Sequence, residues 1–188
     1  MKKGWTTTKL ASIGGLAVLD VVLRLMGAGI QAVTGFVGAG GIINSFLTPI
    51  MAMICLFVID QFGAATVMFT VLGILELPFP LTGTPGFFPK VFVLTIAGII
   101  ADTMYFFLKR DKKVSSLIIG SVLTLYLAFA IVGVGRLFKL PGIGWTAKMF
   151  HSPFVLLLAV LIGALGGYFG YIIYGKIKNT SVVKRIQG

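Results

Sequence analysis

Long apolar runs, separated by short connections that are polar or rich in glycine and proline, dominate the sequence. Crossing the hydrocarbon core of a bilayer takes about 20 apolar residues in a helix. Windows of roughly that length predict six spans, at 9–33, 42–59, 64–77, 88–108, 114–138 and 153–174. The third is the shortest. The pattern therefore predicts an all-α integral membrane protein, a compact bundle of six transmembrane helices in one domain over residues 1–188.

Composition strengthens this prediction and narrows the functions open to the chain. The mean hydropathy is +1.05, and 57% of the 188 residues are hydrophobic while 11% are charged, values far from those of a soluble domain. The first apolar run contains Asp20 and Arg24 and lacks a convincing cleavage site, so we interpret it as a retained span and not as a signal peptide. No hydrophilic stretch is long enough for a soluble catalytic domain, and neither an enzyme nor a cofactor is predicted.

Positive charge orients the predicted spans. Of the 16 Lys and Arg residues, 11 fall on one side of a six-span arrangement, and basic residues near span ends are retained in the cytoplasm. They are Lys2, Lys3, Lys9, Lys109, Arg110, Lys112, Lys113, Lys176, Lys178, Lys184 and Arg185. Both termini are thus predicted to be cytoplasmic. The three connections rich in glycine and proline then share the outer face, where we expect them to fold over a pocket.

Charged residues inside the spans need partners, because an unpaired charge at membrane depth costs about 2.5–3.5 kcal/mol. Asp20 and Arg24 lie four residues apart on one helical face and are predicted to pair. Glu76 stands at the outer end of the third span without a nearby base in sequence. Two interpretations stay open for it: contact with a ligand, or pairing with Arg136 or Lys139. Asp102 is predicted to be a partner for Lys109 or a polar anchor.

Other chemical signals are weak. The single histidine, His151, and the single cysteine, Cys55, argue against a metal site or a disulfide, and no catalytic motif is present. Aromatic residues near the outer connections could stack on a ligand, the alternative being anchorage at the membrane interface. Those considered are Trp145, Tyr126, Phe79, Phe87 and Phe88.

Small residues recur at helical spacing on two spans. Gly163, Gly166, Gly167 and Gly170 on the sixth span are predicted to pack inside the bundle, since small residues let helices approach closely in lipid. The corresponding set on the first span, which starts at the cytoplasmic face, could instead receive an outside partner. It comprises Ala11, Gly14, Gly15 and Val18.

Together these features resemble a known family. A six-span chain of this size, opening with KLASIGGLAVLDVVL, with DQFGAA at an inner junction and glycine- and proline-rich outer loops, resembles the substrate-capture subunit, or S component, of energy-coupling factor (ECF) transporters. The family's AxxxA signature is present as the degenerate Ala11-x-x-x-Gly15.

The resemblance implies capture of a vitamin or related micronutrient in an outward pocket of a prokaryotic cell membrane. Delivery then takes a transmembrane coupling subunit and two cytoplasmic ATPases. The first-span set would meet the coupling subunit. The implied pocket residues are Gln31, Asn44, Glu76, Phe79, Tyr126, Arg136, Trp145 and His151.

The ligand stays open at this stage. Glu76 with Trp145 and His151 favours a cationic aromatic compound such as thiamine or its pyrimidine, whereas Arg24, Arg136 and Lys139 could equally receive a carboxylate. Two other classes compete with the implied function. One is a stand-alone secondary transporter, for which no inverted repeat is evident, and the other is a structural or assembly subunit of a membrane complex.

Overall fold

The computed structural model describes residues 4–35, 39–81, 84–108, 110–140 and 143–187. All regular elements in these ranges are helices. They are α1 (Thr7–Thr34), α2 (Ala39–Ile59), α3 (Ala64–Leu75), α4 (Pro89–Leu108), α5 (Lys112–Leu137), α6 (Ile143–Met149), α7 (Pro153–Ile177) and α8 (Ser181–Gln187). The predicted all-α class is confirmed.

Five of the described helices, α1, α2, α4, α5 and α7, are long and apolar enough to cross a membrane. The chain is a multi-pass membrane protein. The predicted third span differs: α3 has 12 residues, which at 1.5 Å per residue gives about 18 Å, well short of a hydrocarbon core of about 30 Å. It ends at Leu75, before the Leu77-Pro78 step where the sequence prediction put its end. Proline lacks the backbone N–H that a continuing helix requires.

Two short helices were absent from the predicted arrangement. One, α6, lies in the third glycine- and proline-rich connection, and the other, α8, lies in the basic C-terminal tail. Both have seven residues, too few for a span. Val183 and Ile186 of α8 are buried against the core, so part of the tail packs on the bundle.

The core of the bundle is built around α2. Its second half, from Ile50 to Ile59, is buried throughout, and α2 contacts α1, α3, α4, α5, α7 and α8. A helix that is apolar on all sides is expected at such a central position. The surrounding helices instead keep apolar side chains exposed on their outer faces, for example Val22 on α1 and Phe106 on α4, where lipid would cover them.

Glycines of α7 provide the closest helix contacts. A Cβ atom at Gly163 or Gly167 would collide with backbone of α5, at Gly120 and Ser116 respectively. At Gly170 it would lie 2.7 Å from Cβ of Met53 on α2. Alternate glycines of α7 therefore face two different helices, which confirms the predicted internal packing.

We expect Gly167→Ala to lower the free energy of unfolding by about 1–3 kcal/mol, because the added methyl group overpacks the contact with α5. Gly175→Ala is the matched control on the same helix, since a Cβ atom there meets nothing within 4 Å. The control should be neutral or gain up to about 1 kcal/mol from helix propensity. Unfolding by SDS titration measures both variants, and equal losses would contradict the packing described for α7.

Candidate functional site

The structure brings three of the charged residues singled out in the sequence into one buried cluster. Arg24 of α1 contacts Glu76, the C-cap residue that follows α3, through Nη1 and Oε1 at 2.7 Å. It also contacts Asp20, one helical turn before it, with Nε 3.3 Å from Oδ1. The predicted pairing of Asp20 with Arg24 is confirmed. Glu76 pairs with Arg24, which was not among the partners predicted for it; those two, Arg136 and Lys139, are exposed.

Burial of this cluster is almost complete. Asp20 and Glu76 have 0% of their surface exposed, and Arg24 has 3%. A second donor of the guanidinium, Nη2, bonds to the hydroxyl of Thr48 on α2 at 2.8 Å. Arg24 thus joins α1 to both α2 and α3, and the flat guanidinium with its several N–H donors is suited to such a branched contact.

Lys90, in the first turn of α4, completes the cluster. Its Nζ donates to the backbone carbonyl of Glu76 at 2.6 Å and to that of Phe79 at 3.0 Å, and only 1% of the residue is exposed. These carbonyls belong to the segment where α3 has ended. Carbonyl groups just beyond a helix end lack intrahelical partners, and at membrane depth they need partners within the protein.

Sequence reasoning missed the roles of Lys90 and Thr48. A signal for Lys90 was present: a lysine beside the proline that opens a helix stands at the positive end of that helix dipole, an unfavourable place for a cation. Such a placement indicates that the ammonium interacts with a different element. Here it binds carbonyl oxygens at the C-terminal, negative end of α3. The cluster thereby contains two acids and two bases, Asp20 and Glu76 with Arg24 and Lys90, and links α1 to α4.

The remaining predicted pocket residues lie in several places. Gln31 accepts a hydrogen bond from the backbone N–H of Gly40 at 3.2 Å. Tyr126 donates to the carbonyl of Val93 at 3.1 Å, and Phe79 packs partly buried against the core.

Asn44, on α2 one turn before Thr48, differs from these residues. Its Oδ1 is a buried oxygen without a hydrogen-bond partner among the described residues.

Two further predicted pocket residues, beside the connection between α5 and α7, are exposed. Arg136 lies in the last turn of α5. His151 follows α6, and its Nδ1 lies 2.6 Å from the carbonyl oxygen of Ala147. The Trp145 side chain falls outside the described part of the structure. The described residues contain no group of three or more metal-ligating side chains.

Asp102 organises the junction between α2 and α3. Its carboxylate accepts hydrogen bonds from the backbone N–H groups of Ala65 and Thr66 at 3.1 and 2.8 Å, and from the Thr66 hydroxyl at 2.6 Å. This is a polar anchor for the first turn of α3, where an acid also complements the helix dipole. The alternative partner named from the sequence, Lys109, lies outside the described residues.

The small residues of α1 have surroundings opposite to those of α7. Ala11, Gly15 and Val18 are exposed and Gly14 is half-buried. A Cβ atom at Gly14 or Gly15 would meet nothing within 4 Å. We call Ala11, Gly14, Gly15 and Val18 the small-residue face of α1. No described part of the chain covers it.

No protein-family model, curated protein or solved structure matches the chain. What can be argued about function therefore comes from the residues and their geometry.

We expect Arg24→Met to lower the free energy of unfolding by about 3–5 kcal/mol, because it leaves two buried carboxylates without their base. Arg136→Met, at an exposed arginine, is the matched control and should stay within about 0.5 kcal/mol of the parent. Unfolding by SDS titration measures both.

A triple variant, Arg24→Met with Asp20→Asn and Glu76→Gln, separates charge from packing. Removing the orphaned charges should recover at least half of the loss, since neutral replacements of buried ion clusters are often tolerated. A single Arg24→Met variant as stable as the Arg136→Met control would contradict the role assigned to the cluster.

Proposed function

We propose that the chain is the substrate-capture subunit of an ECF-type importer, which binds a vitamin or related micronutrient and delivers it through a coupling subunit driven by two ATPases. In this proposal the bundle crosses the cell membrane of a prokaryote six times, with α3 and the residues after it as the third crossing and both termini in the cytoplasm. The function requires two surfaces, one for the coupling subunit and one for the ligand.

The observation that carries the proposal is the contrast between the two sets of small residues. The glycines of α7 pack against α5 and α2 inside the bundle. The small-residue face of α1 is as favourable for close helix approach, yet it is left exposed. A helix of another membrane subunit is the natural occupant of such a face within a bilayer, and the coupling subunit is the occupant that we assign.

The buried cluster supports the proposal in a second way. Docking against one face of α1 transmits force only if α1 is attached firmly to the rest of the bundle. Arg24 provides that attachment, because it bonds to Glu76 at 2.7 Å and to Thr48 at 2.8 Å. The α1 helix can therefore move with α2 and α3 as one unit when the partner binds.

The ligand site is proposed at the outer ends of the helices. The Asn44 Oδ1 is buried and has no hydrogen-bond partner in the part of the chain that the structure describes. It is an acceptor of the kind that a ligand donor would satisfy, because a buried polar atom without a bond is costly. Two classes of ligand remain proposed, as in the sequence analysis: a cationic aromatic compound such as thiamine, or a compound that bears a carboxylate. Glu76 is engaged by Arg24, so Trp145 is the better residue for a binding test.

We expect Gly15→Leu to weaken assembly with the coupling subunit and ATPases by at least about tenfold, equivalent to ~1.4 kcal/mol, because the larger side chain holds the partner helix away. Gly133→Leu on α5 is the matched control, since it is also exposed with nothing within 4 Å of an added Cβ atom. Co-purification of the complex from its native membrane measures both. Equal recovery of the complex with both variants would rule out this docking face.

We expect the purified chain to retain thiamine or, on the alternative interpretation, a carboxylate-bearing vitamin such as biotin, as detected by native mass spectrometry. Trp145→Ala should then lower affinity about tenfold through loss of aromatic contact with the ligand. Trp5→Ala, the variant at the other of the two tryptophans, is the control and should bind normally. Retention of neither compound would count against ligand capture, and normal binding by Trp145→Ala would remove Trp145 from the site.

A further inference from the structure

A cavity of about 540 Å³ lies at the connection between α4 and α5. It is unrelated to the buried cluster of Arg24. The residues that line it are Phe107, Leu108, Arg110, Asp111, Lys112, Lys113, Val114 and Tyr171. Since α4 and α5 are both long enough to cross a membrane, the connection between them lies where the apolar layer meets water.

The charge of the lining is strongly asymmetric. Three of the lining residues are basic and one is acidic. The carboxylate of the acid, Asp111, is occupied by the start of α5, where its Oδ1 accepts from the backbone N–H groups of Lys113 and Val114 at 3.0 and 3.2 Å. The cavity therefore presents positive charge to whatever enters it.

The bases are held in different ways. Lys112 turns inward, with Nζ 4.6 Å from the centre of the Tyr174 ring and 3.2 Å from its hydroxyl oxygen. Arg110 and Lys113 are exposed at the rim. A guanidinium at the rim can bind two oxygens of a phosphate at once, and an ammonium beside it adds a second charge.

An apolar track starts at the same cavity. Phe107 and Val114 belong to the lining and are 76% and 45% exposed, and Ile118, one turn further along α5, is 38% exposed. These side chains point away from the core on two spanning helices. A charged site continuous with a lipid-facing apolar surface matches a ligand with an anionic head and hydrocarbon tails.

We propose that this cavity binds the phosphate group of an anionic phospholipid, with Arg110 and Lys113 contacting the phosphate. Its acyl chains lie along Phe107, Val114 and Ile118. Basic pockets between helix ends at a membrane surface are suited to such head groups. Tyr171, stacked on Tyr168 with ring centres 6.2 Å apart, closes one side at the depth where aromatic residues favour the interface.

The test uses the full chain in detergent, incubated with phosphatidylglycerol or with phosphatidylcholine of the same acyl composition. Native mass spectrometry then counts the lipids retained. We expect phosphatidylglycerol to be retained at least about tenfold more tightly, since the zwitterionic head carries no net charge to pair with the bases. Equal retention of the two lipids would overturn the proposal.

The variant Arg110→Gln with Lys113→Gln removes both rim charges. It should weaken phosphatidylglycerol binding about fivefold for each charge removed. Lys176→Gln with Lys178→Gln is the matched control, because it removes the same charge from exposed residues at the same end of the bundle and should change binding less than about twofold. Equal losses in the two double variants would mean diffuse attraction to a basic surface and no site.

Two further arms complete the experiment. Arg110→Glu keeps Lys112 and Lys113 in place and should weaken phosphatidylglycerol binding more than Arg110→Gln, with unchanged thermal unfolding by circular dichroism. Inorganic phosphate distinguishes a lipid from a free anion. If millimolar phosphate displaces the lipid completely, the apolar track contributes nothing to binding and the phospholipid assignment is wrong. If phosphatidylglycerol stays bound in the presence of phosphate, the assignment is supported.

Discussion

The ionic contact between Arg24 and Glu76 holds together parts of the bundle that are distant in sequence. Without it, Asp20 and Arg24 on the buried face of α1 would lose their link to α3, and the Glu76 carboxylate would lose its contact with the guanidinium. The apolar layer offers no water to either group. By bonding to Glu76, Asp20 and Thr48, one guanidinium allows α3 to stop early while the chain remains inside the protein.

Lys90 provides hydrogen bonds for the backbone that follows the end of α3. Carbonyl groups at the end of a helix lack intrahelical partners, and Lys90 bonds to two carbonyls beyond the end of the 12-residue α3. Two buried basic side chains thus hold the start of the segment after α3. Arg24 of α1 binds the Glu76 carboxylate, and Lys90 of α4 binds backbone carbonyls. This arrangement explains why an acid occurs where the helix breaks: it is a fixed point for the loop that follows.

Much of this could be predicted from sequence, and the limits have physical causes. The lengths of the apolar runs predicted the five long helices. The spacing of four residues predicted the pairing of Asp20 with Arg24, and the repeated glycines predicted the close packing of α7. The contact of Glu76 with Arg24 was not predicted. Two interpretations were left open, a ligand or pairing with Arg136 or Lys139, because the sequence does not say which helix lies against α3. Lys90 was overlooked because it bonds to backbone oxygens, so its sequence signal was limited to its unfavourable place at the start of a helix. The predicted third span also ran two residues further than α3, to Leu77 next to Pro78, whereas the helix ends at Leu75.

The proposed function depends on one division of labour: this chain captures its ligand, and other subunits supply the energy. Uptake of labelled vitamin into proteoliposomes tests it most directly, with the chain alone and with the coupling subunit and ATPases added. The proposal predicts binding without uptake by the chain alone, and uptake that requires the complete complex and ATP. Accumulation of the vitamin by the isolated chain, without ATPases, would contradict it.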